Sequence, residues 1–345
     1  MKKVLCAVAS VVLVASVLAG CSGNAKPSTA SSSSPSSAAQ TVTMRVAYMP
    51  NMSSVSAIVA AENMGYFKEQ GIQVQTVKFS KGTDEIAAMG SGNIDVSEIG
   101  TGATVLCAKG QAKIVAYDCS SINDEVIANK AKGISKIADL RGKTIAATLG
   151  TSSEQILQLS LESVGMTEKD VNIVQMDASA AATAMISGKV DAVATWSPST
   201  ITIMEKMGSN AVMLANDETF SNKTTSPSSF ITSNSYYVSH KDALVRFTRA
   251  IMEAQDYRVG HLKQVADWVA ELIQQNKTDI EKTTDDSEWP TSKDIYNQAK
   301  DGSLKKMYTI QMNNFVTSGS LDKAVDVDTY FSPDIMIQAY EANQK

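Results

Sequence analysis

Histidine is almost absent from this chain: two residues, His240 and His261, in 345. They do not have zinc-ligand spacing, and no Ser–His–acid set suggests itself beside a strained turn. The scarcity counts against a hydrolase or a metalloenzyme, and no cofactor or metal is expected. Cysteine is nearly as rare, with four residues. Cys6 and Cys21 fall in the N-terminal leader. Cys107 lies in a helical pattern and Cys119 at the end of the next strand pattern, so two buried thiols are expected rather than a disulfide. There is no lysine–arginine cluster, and the formal net charge is −5. Both argue against a nucleic-acid partner. The glycine-containing stretch "GTGAT" lacks G-x-G-x-x-G spacing, so a dinucleotide site is not supported.

What is present begins with a leader. Lys2 and Lys3 precede an apolar run over residues 4–19, which ends in "LAGC" at residues 18–21. A spanning helix needs about 20 apolar residues, so the run reads as a secretory signal peptide over residues 1–20. "LAGC" resembles the lipobox of bacterial lipoproteins. That resemblance implies cleavage before Cys21 and lipid attached to Cys21. Residues 22–40 carry no aliphatic side chain larger than alanine, so the segment 21–40 is expected to be a flexible tether. The expectation is an extracytoplasmic protein, lipid-anchored to the bacterial cell membrane, with its folded body in the water beside it.

The body, from about residue 41, alternates strand and helix patterns. This predicts an α/β fold with largely parallel sheets. Strands are read at 43–49, 72–79, 94–100 and 112–118, and again at 143–148, 171–176 and 190–196. Helices separate them. Two segments repeat without a gap: "AAMGSGNIDVSEIG" (87–100) and "TAMISGKVDAVATW" (183–196). Asp95 and Asp191 recur at the strand starts, where a structural role is expected. The repeat suggests two lobes built alike, with a cleft between the carboxyl ends of their strands. Residues 228–239 read as a strand returning to the first lobe, and the rest is helical. Lobe one is therefore expected over 41–125 plus 226–345, and lobe two over 126–225.

Four motifs, "NMGYFKEQGIQV", "FSKGTDEIAAMGSGNIDVSEIGTGA", "ADLRGKTIAATLGTSSEQIL" and "SGKVDAVATWSP", occur in this order. Together they resemble the substrate-binding proteins of nitrate, sulfonate, taurine and bicarbonate ABC importers, a family that includes thiamine-precursor-binding and Thi5-like proteins. The resemblance covers about residues 45–240. It implies a two-lobed, periplasmic-binding-protein-like fold in which each lobe is a sheet flanked by helices. It also implies a small solute, a permease with its ATPase as partners, and no catalysis. A monomer is expected. The pocket positions it implies follow the strands: Asn51, Met52 and Ser53; Ser80, Lys81 and Gly82; Thr101, Gly102 and Ala103. From lobe two come Thr151, Ser152 and Ser153, with Trp196, Ser197 and Pro198. Asn123 and Asp124 lie near the crossover.

Each position has a plainer reading. Gly150–Ser153 opens a helix, so Thr151 or Ser152 serves either as an ordinary cap or as part of an oxyanion cradle of bare amides. The turn around Thr101 is either a tight strand-to-helix connection or a second such cradle. Trp196 is either core or a cover for an apolar part of the solute. Lys81 is either solvated or a partner for an anion. Glu98, late in a buried strand, holds either a solute amine or a protein cation. A sulfonate or other small anion is the expected solute, taurine-like if Glu98 takes an amine. Two alternatives stand beside this: a sensor input docking on a membrane receptor, and a thiamine-precursor-type binding protein or enzyme. The cysteine-rich motif of the Thi5-like enzymes is missing.

Overall fold

A computed structural model describes residues 41–345. The expected signal peptide, Cys21 and the tether lie outside the described residues. Among the described residues, no helix is long and apolar enough to cross a membrane.

Eleven strands are present in the described chain. The first four are β1 (Val42–Tyr48), β2 (Ile72–Lys78), β3 (Val96–Ile99) and β4 (Lys113–Ser121). Next come β5 (Asp124–Asn129), β6 (Thr144–Ala147), β7 (Asn172–Gln175), β8 (Ala192–Trp196) and β9 (Ala211–Asn216). The last two are β10 (Pro227–Thr232) and β11 (Ser287–Glu288). They form two sheets, in the orders β11-β4-β10-β3-β1-β2 and β7-β6-β8-β5-β9.

The sheets are mixed, not largely parallel. In each, three strands pair in parallel, as β2-β1-β3 and as β7-β6-β8. A fourth strand then inserts antiparallel: β10 between β3 and β4, and β5 between β8 and β9. Each inserted strand enters from the other half of the chain, so its direction is set by the crossover. A βα repeat alone would have delivered it parallel. Strand pairing puts Asp124 and Glu125 in the second sheet, opposite Trp196 and Thr195. The second sheet thus begins two residues ahead of the expected start of lobe two. The predicted strand at 228–239 stops at Thr232. Ser233 then caps a short helix, Asn234–Ser239, by accepting the Tyr236 amide.

Both sheets are covered by helices on their two faces. On β5, Val126 and Ala128 join one apolar cluster with Ile156 and Leu157, while Ile127 joins another with Ala181 and Met185. That alternation is the strand period of two, with a helix packed on either side. The first sheet is buried among the Met52–Met64, Lys241–Gly260 and Asp334–Asn343 helices. Cys107 and Cys119 are both buried free thiols.

Candidate functional site

The two halves fix their strands by the same device. At the start of the sheet contact, the Arg45 amide donates to Asp95 Oδ2 at 2.8 Å. In the second half the Thr144 amide donates to Asp191 Oδ2, also at 2.8 Å. The repeated aspartates thus staple parallel strands together, far from any cavity. At the other end of β1, the Met49 amide donates to Ser54 Oγ at 2.9 Å. After β6, the Thr148 amide donates to Ser153 Oγ at 3.0 Å. Each serine lies in the first turn of the following helix, Met52–Met64 or Ser152–Glu162, and ties it back to the strand it follows.

These clamps aim two helix starts at one space. Asn51 caps the first helix, accepting the Ser54 amide at 2.9 Å and the Ser53 hydroxyl at 3.0 Å. Thr151 caps the second; its hydroxyl accepts the Ser153 amide at 3.3 Å and donates to the Thr148 carbonyl at 2.6 Å. The amides of Ser53 and Ser152, two residues that line one cavity, then have no acceptor among the described residues. Unpaired N–H groups at the positive ends of helix dipoles suit an oxyanion.

A cavity of about 30 Å³ lies between them. Asn51, Ser53 and Gly100–Ala103 line it from one half; Thr151, Ser152 and Trp196 line it from the other. Ser121, Asn123, Asp124 and Ser228 line it at the crossovers. The halves touch at its edge. A Cβ placed on Gly102 would lie 2.1 Å from the Thr151 carbonyl carbon and 2.4 Å from the Ser152 nitrogen. Only glycine permits that approach, so the cleft is shut at this point.

The other expected residues lie elsewhere. Met52 is buried and lines no cavity. Ser153 is also fully buried; besides holding Thr148, its hydroxyl donates to the Ala194 carbonyl at 2.7 Å. Gly82 packs beneath Ala103, and Lys81 Nζ pairs with Asp84 at 3.4 Å. Ser80 and Pro198 line a separate side cavity of about 290 Å³ that shares Trp196 with the central one. Gly150 lines a third, about 400 Å³, shared with Gly102 and Thr151. Its amide donates to Glu154 Oε2 at 2.7 Å. Ser197 shares a hydroxyl–hydroxyl bond with Thr200 at 3.0 Å.

Glu98 requires a correction. It is fully buried, lies outside the three cavities above, and neither oxygen has a hydrogen-bond partner among the described residues. It cannot reach a solute in the cleft. Burial, and then the nearby Asp118 carboxylate, push its pKa well above its ordinary value. Asp118 itself forms a fully buried ion pair with Arg258 at 3.0 Å. Arg258 also donates to Ser56 Oγ at 2.8 Å and stacks 4.4 Å from the Trp289 ring centre.

Sequence reasoning placed Asp124 near the crossover without a chemical role. Among the described residues it is the cavity's one carboxylate, and no lysine, arginine or histidine lines that space. Ser152 Oγ donates to Asp124 Oδ1 at 2.8 Å, and the Asp124 amide donates to Asp217 Oδ2 at 2.8 Å. Burial, then the Asp217 carboxylate, raise the pKa of Asp124 well above its ordinary value; burial pushes Asp217 up to about 7. Ser121 and Ser228 went unflagged. Their only signal is that small polar residues close strands β4 and open β10.

Comparison with known proteins now identifies the chain. Residues 52–264 match the family described as NMT1/THI5 like. The chain belongs to the NMT1/THI5-like family. A binding protein of Brucella abortus is 32% identical over 296 residues, covering 86% of this chain and 92% of that protein. The taurine-binding periplasmic protein of Escherichia coli is 31% identical over 172 residues, 49% of this chain and 52% of that protein. Among solved structures, the alkanesulfonate-binding protein SsuA of Xanthomonas axonopodis, bound to MOPS, superposes with a TM-score of 0.65 at 20% identity. That match covers 86% of this chain and 99% of SsuA. The periplasmic nitrate-binding protein NrtA of Synechocystis superposes at 0.72 with 13% identity, covering 88% of this chain and 89% of NrtA. These likenesses show the two-sheet fold of periplasmic binding proteins. Both of these sequence relatives are named as binding proteins. The fold itself also carries chemistry, since the desulfurization enzyme DszB superposes at 0.62 with 14% identity over 87% of this chain and 99% of DszB.

Proposed function

We propose that this protein is the extracytoplasmic solute-binding component of an ABC importer. It closes two lobes on a small solute with an oxyanion group, of the sulfonate class, and delivers it to a membrane permease served by an ATPase. The observation that carries the reading is the central cavity, where unpaired amides from two helix starts converge as the halves meet at Gly102. The 32% identity to a binding protein over most of both chains supports it. The lobes are residues 41–123 plus 226–345 and 124–225, two residues ahead of the boundary expected from sequence, with the hinge at the two crossovers near Asn123 and between Asn216 and Pro227. The protein acts as a monomer held at the membrane by lipid on Cys21, a reading supported by the "LAGC" motif.

The test is a thermal-shift screen of the purified protein against sulfonates, nitrate, bicarbonate, carboxylates and neutral pyrimidines. Ligand binding to the folded state raises the melting temperature by mass action, about 2.7 kcal/mol at 100 times Kd. A sulfonate is expected to give the largest rise. A clear rise with a neutral compound and none with any oxyanion overturns the reading. Replacing Cys21 by alanine is expected to release the protein from the membrane fraction.

A further inference from the structure

The carboxylate of Asp124 is out of place in an anion site. It is 2% exposed, it lines the central cavity, and no cationic side chain lines that cavity with it. Its Oδ1 takes the Ser152 hydroxyl, and its Oδ2 accepts nothing among the described residues. A buried carboxylate left with an open oxygen is costly, and a partner cation or a proton relieves the cost. A bare oxyanion brought to this cavity would meet Asp124 with Asp217 directly behind it. Where Asp124 is ionised, repulsion between like charges in a dry site works against that, and a bound ammonium favours the ionised form.

The second observation is independent. Asp124 and Trp196 are direct partners across the antiparallel β5–β8 pair. Directly opposed residues of such a pair share one face, with Cβ atoms about 5 Å apart. Both side chains line the cavity. A carboxylate and an indole face side by side form an established recognition pattern for organic cations: the carboxylate accepts N–H hydrogens, and the ring's negative face attracts the charge.

We propose that the cleft recognises an organic ammonium group, held by Asp124 Oδ2 and covered by the Trp196 ring. The inference rests on the solute-binding reading above and narrows it. The solute is a small zwitterion, with its ammonium at Asp124 and its oxyanion on the unpaired helix-start amides of the two lobes. Asp124 is the specificity-determining residue and takes the amine-binding role that the sequence suggested for Glu98. The cavity limits the separation of the two charges to a short chain.

The test uses isothermal titration of the purified protein with matched probes: taurine against ethanesulfonate, and β-alanine against propionate. Each pair differs chiefly in the ammonium. In the unmodified protein the ammonium-bearing member of at least one pair is expected to bind ten-fold or more tightly than its partner. Asp124→Asn keeps an acceptor for Ser152 and is expected to abolish that preference. Trp196→Leu is expected to reduce it several-fold. Equal or tighter binding of the ammonium-free probes by the unmodified protein overturns the inference and leaves the solute-binding reading standing. So does an Asp124→Asn variant that melts normally and retains the preference. If no probe binds, and the wider screen above also gives no response, both fall together. The selectivity of the unmodified protein decides the matter even if the variants do not fold.

Discussion

Closure of the cleft depends on one missing side chain. Gly102 lies against the backbone of Thr151 and Ser152, and a Cβ there would sit 2.1, 2.4 and 2.5 Å from the Thr151 carbonyl carbon, the Ser152 nitrogen and Thr151 Cα. Ordinary contact begins near 3.4 Å, so the halves must part by about 1.3 Å at this edge, the difference between 3.4 and 2.1. The obstacle is backbone on a capped helix start, which cannot rotate aside as a flexible side chain would. Overpacking of this kind costs about 1–3 kcal/mol. Gly102→Ala is therefore expected to weaken solute binding about 5- to 150-fold. It leaves the free protein's melting temperature nearly unchanged, because the strain is confined to the closed state. Titration calorimetry reads the affinity, and small-angle scattering reads the larger radius of the liganded variant. Gly90→Ala is the control: Gly90 does not line the cavity and its Cβ would find nothing within 4 Å, so affinity is expected to hold. A Gly102→Ala protein that binds and compacts like the original refutes the reasoning, since closure would then not pass through this contact.

Other expectations concern the interior. Burial pushes the Glu85 carboxyl up to about 8, against an ordinary 4.5. The native state thus holds a proton that the unfolded chain has released, so stability falls as pH rises from about 4.5 to about 8. Glu85→Gln is expected to flatten that fall by an amount on the order of 4 kcal/mol, read from urea midpoints at pH 5 and pH 8; an unchanged slope rejects the assignment. Arg258→Met strands the buried Asp118 charge and is expected to destabilise by about 3–5 kcal/mol in urea unfolding. Cys107 and Cys119 are buried, and burial raises both thiols, Cys107 to about 12. Neither is expected to react with a disulfide reagent until urea unfolds the protein. Ser54→Ala and Ser153→Ala each free a strand-end amide, and each is expected to cost roughly 1–3 kcal/mol, since a buried donor loses its acceptor.

The parallel strands were legible because they carry a strong period and are punctuated by glycines. β5 and β9 were not. "DEVIAN" opens with two acids, and "AVMLAN" has one β-branched residue among alanine, methionine and leucine, so neither has a strand's usual composition. Their membership is settled by long-range pairing, which no local pattern encodes. Glu98 shows the same limit within a single residue. All four residues of β3 are buried, because the sheet has helices on both faces. The period of two then marks two faces but not which one meets the cleft. The sequence could show that a carboxylate was buried there, but not that it points away from the solute. At "TLGTSSEQ" the cap and the cradle proved to share the work. Thr151 satisfies the Ser153 amide, Ser153 ties back to the strand, and the Ser152 amide at the cavity is left bare.

The near-symmetry of the two halves also indicates where selectivity resides. Asp95 and Asp191, and Ser54 and Ser153, do the same work on matching strands. A site made only from such repeated parts would treat both ends of a solute alike. The symmetry breaks at one place. In the internal repeat, Trp196 matches Gly100. Trp196 pairs with Asp124 across β8 and β5. In the first half the β3–β10 register ends with Ile99 beside Ser229, one residue short of Gly100 and Ser228. All four of Trp196, Asp124, Gly100 and Ser228 line the cavity. One half therefore offers a large ring and a charge where the other offers a hydrogen and a hydroxyl. The small pair makes room, and the large pair supplies recognition. Substitutions at Gly100 or Ser228 should then change the size of solute accepted, as measured by a series of chain lengths. Substitutions at Asp124 or Trp196 should change the charge accepted at constant size. The reverse outcome would place recognition in the first half and contradict the role given to Asp124.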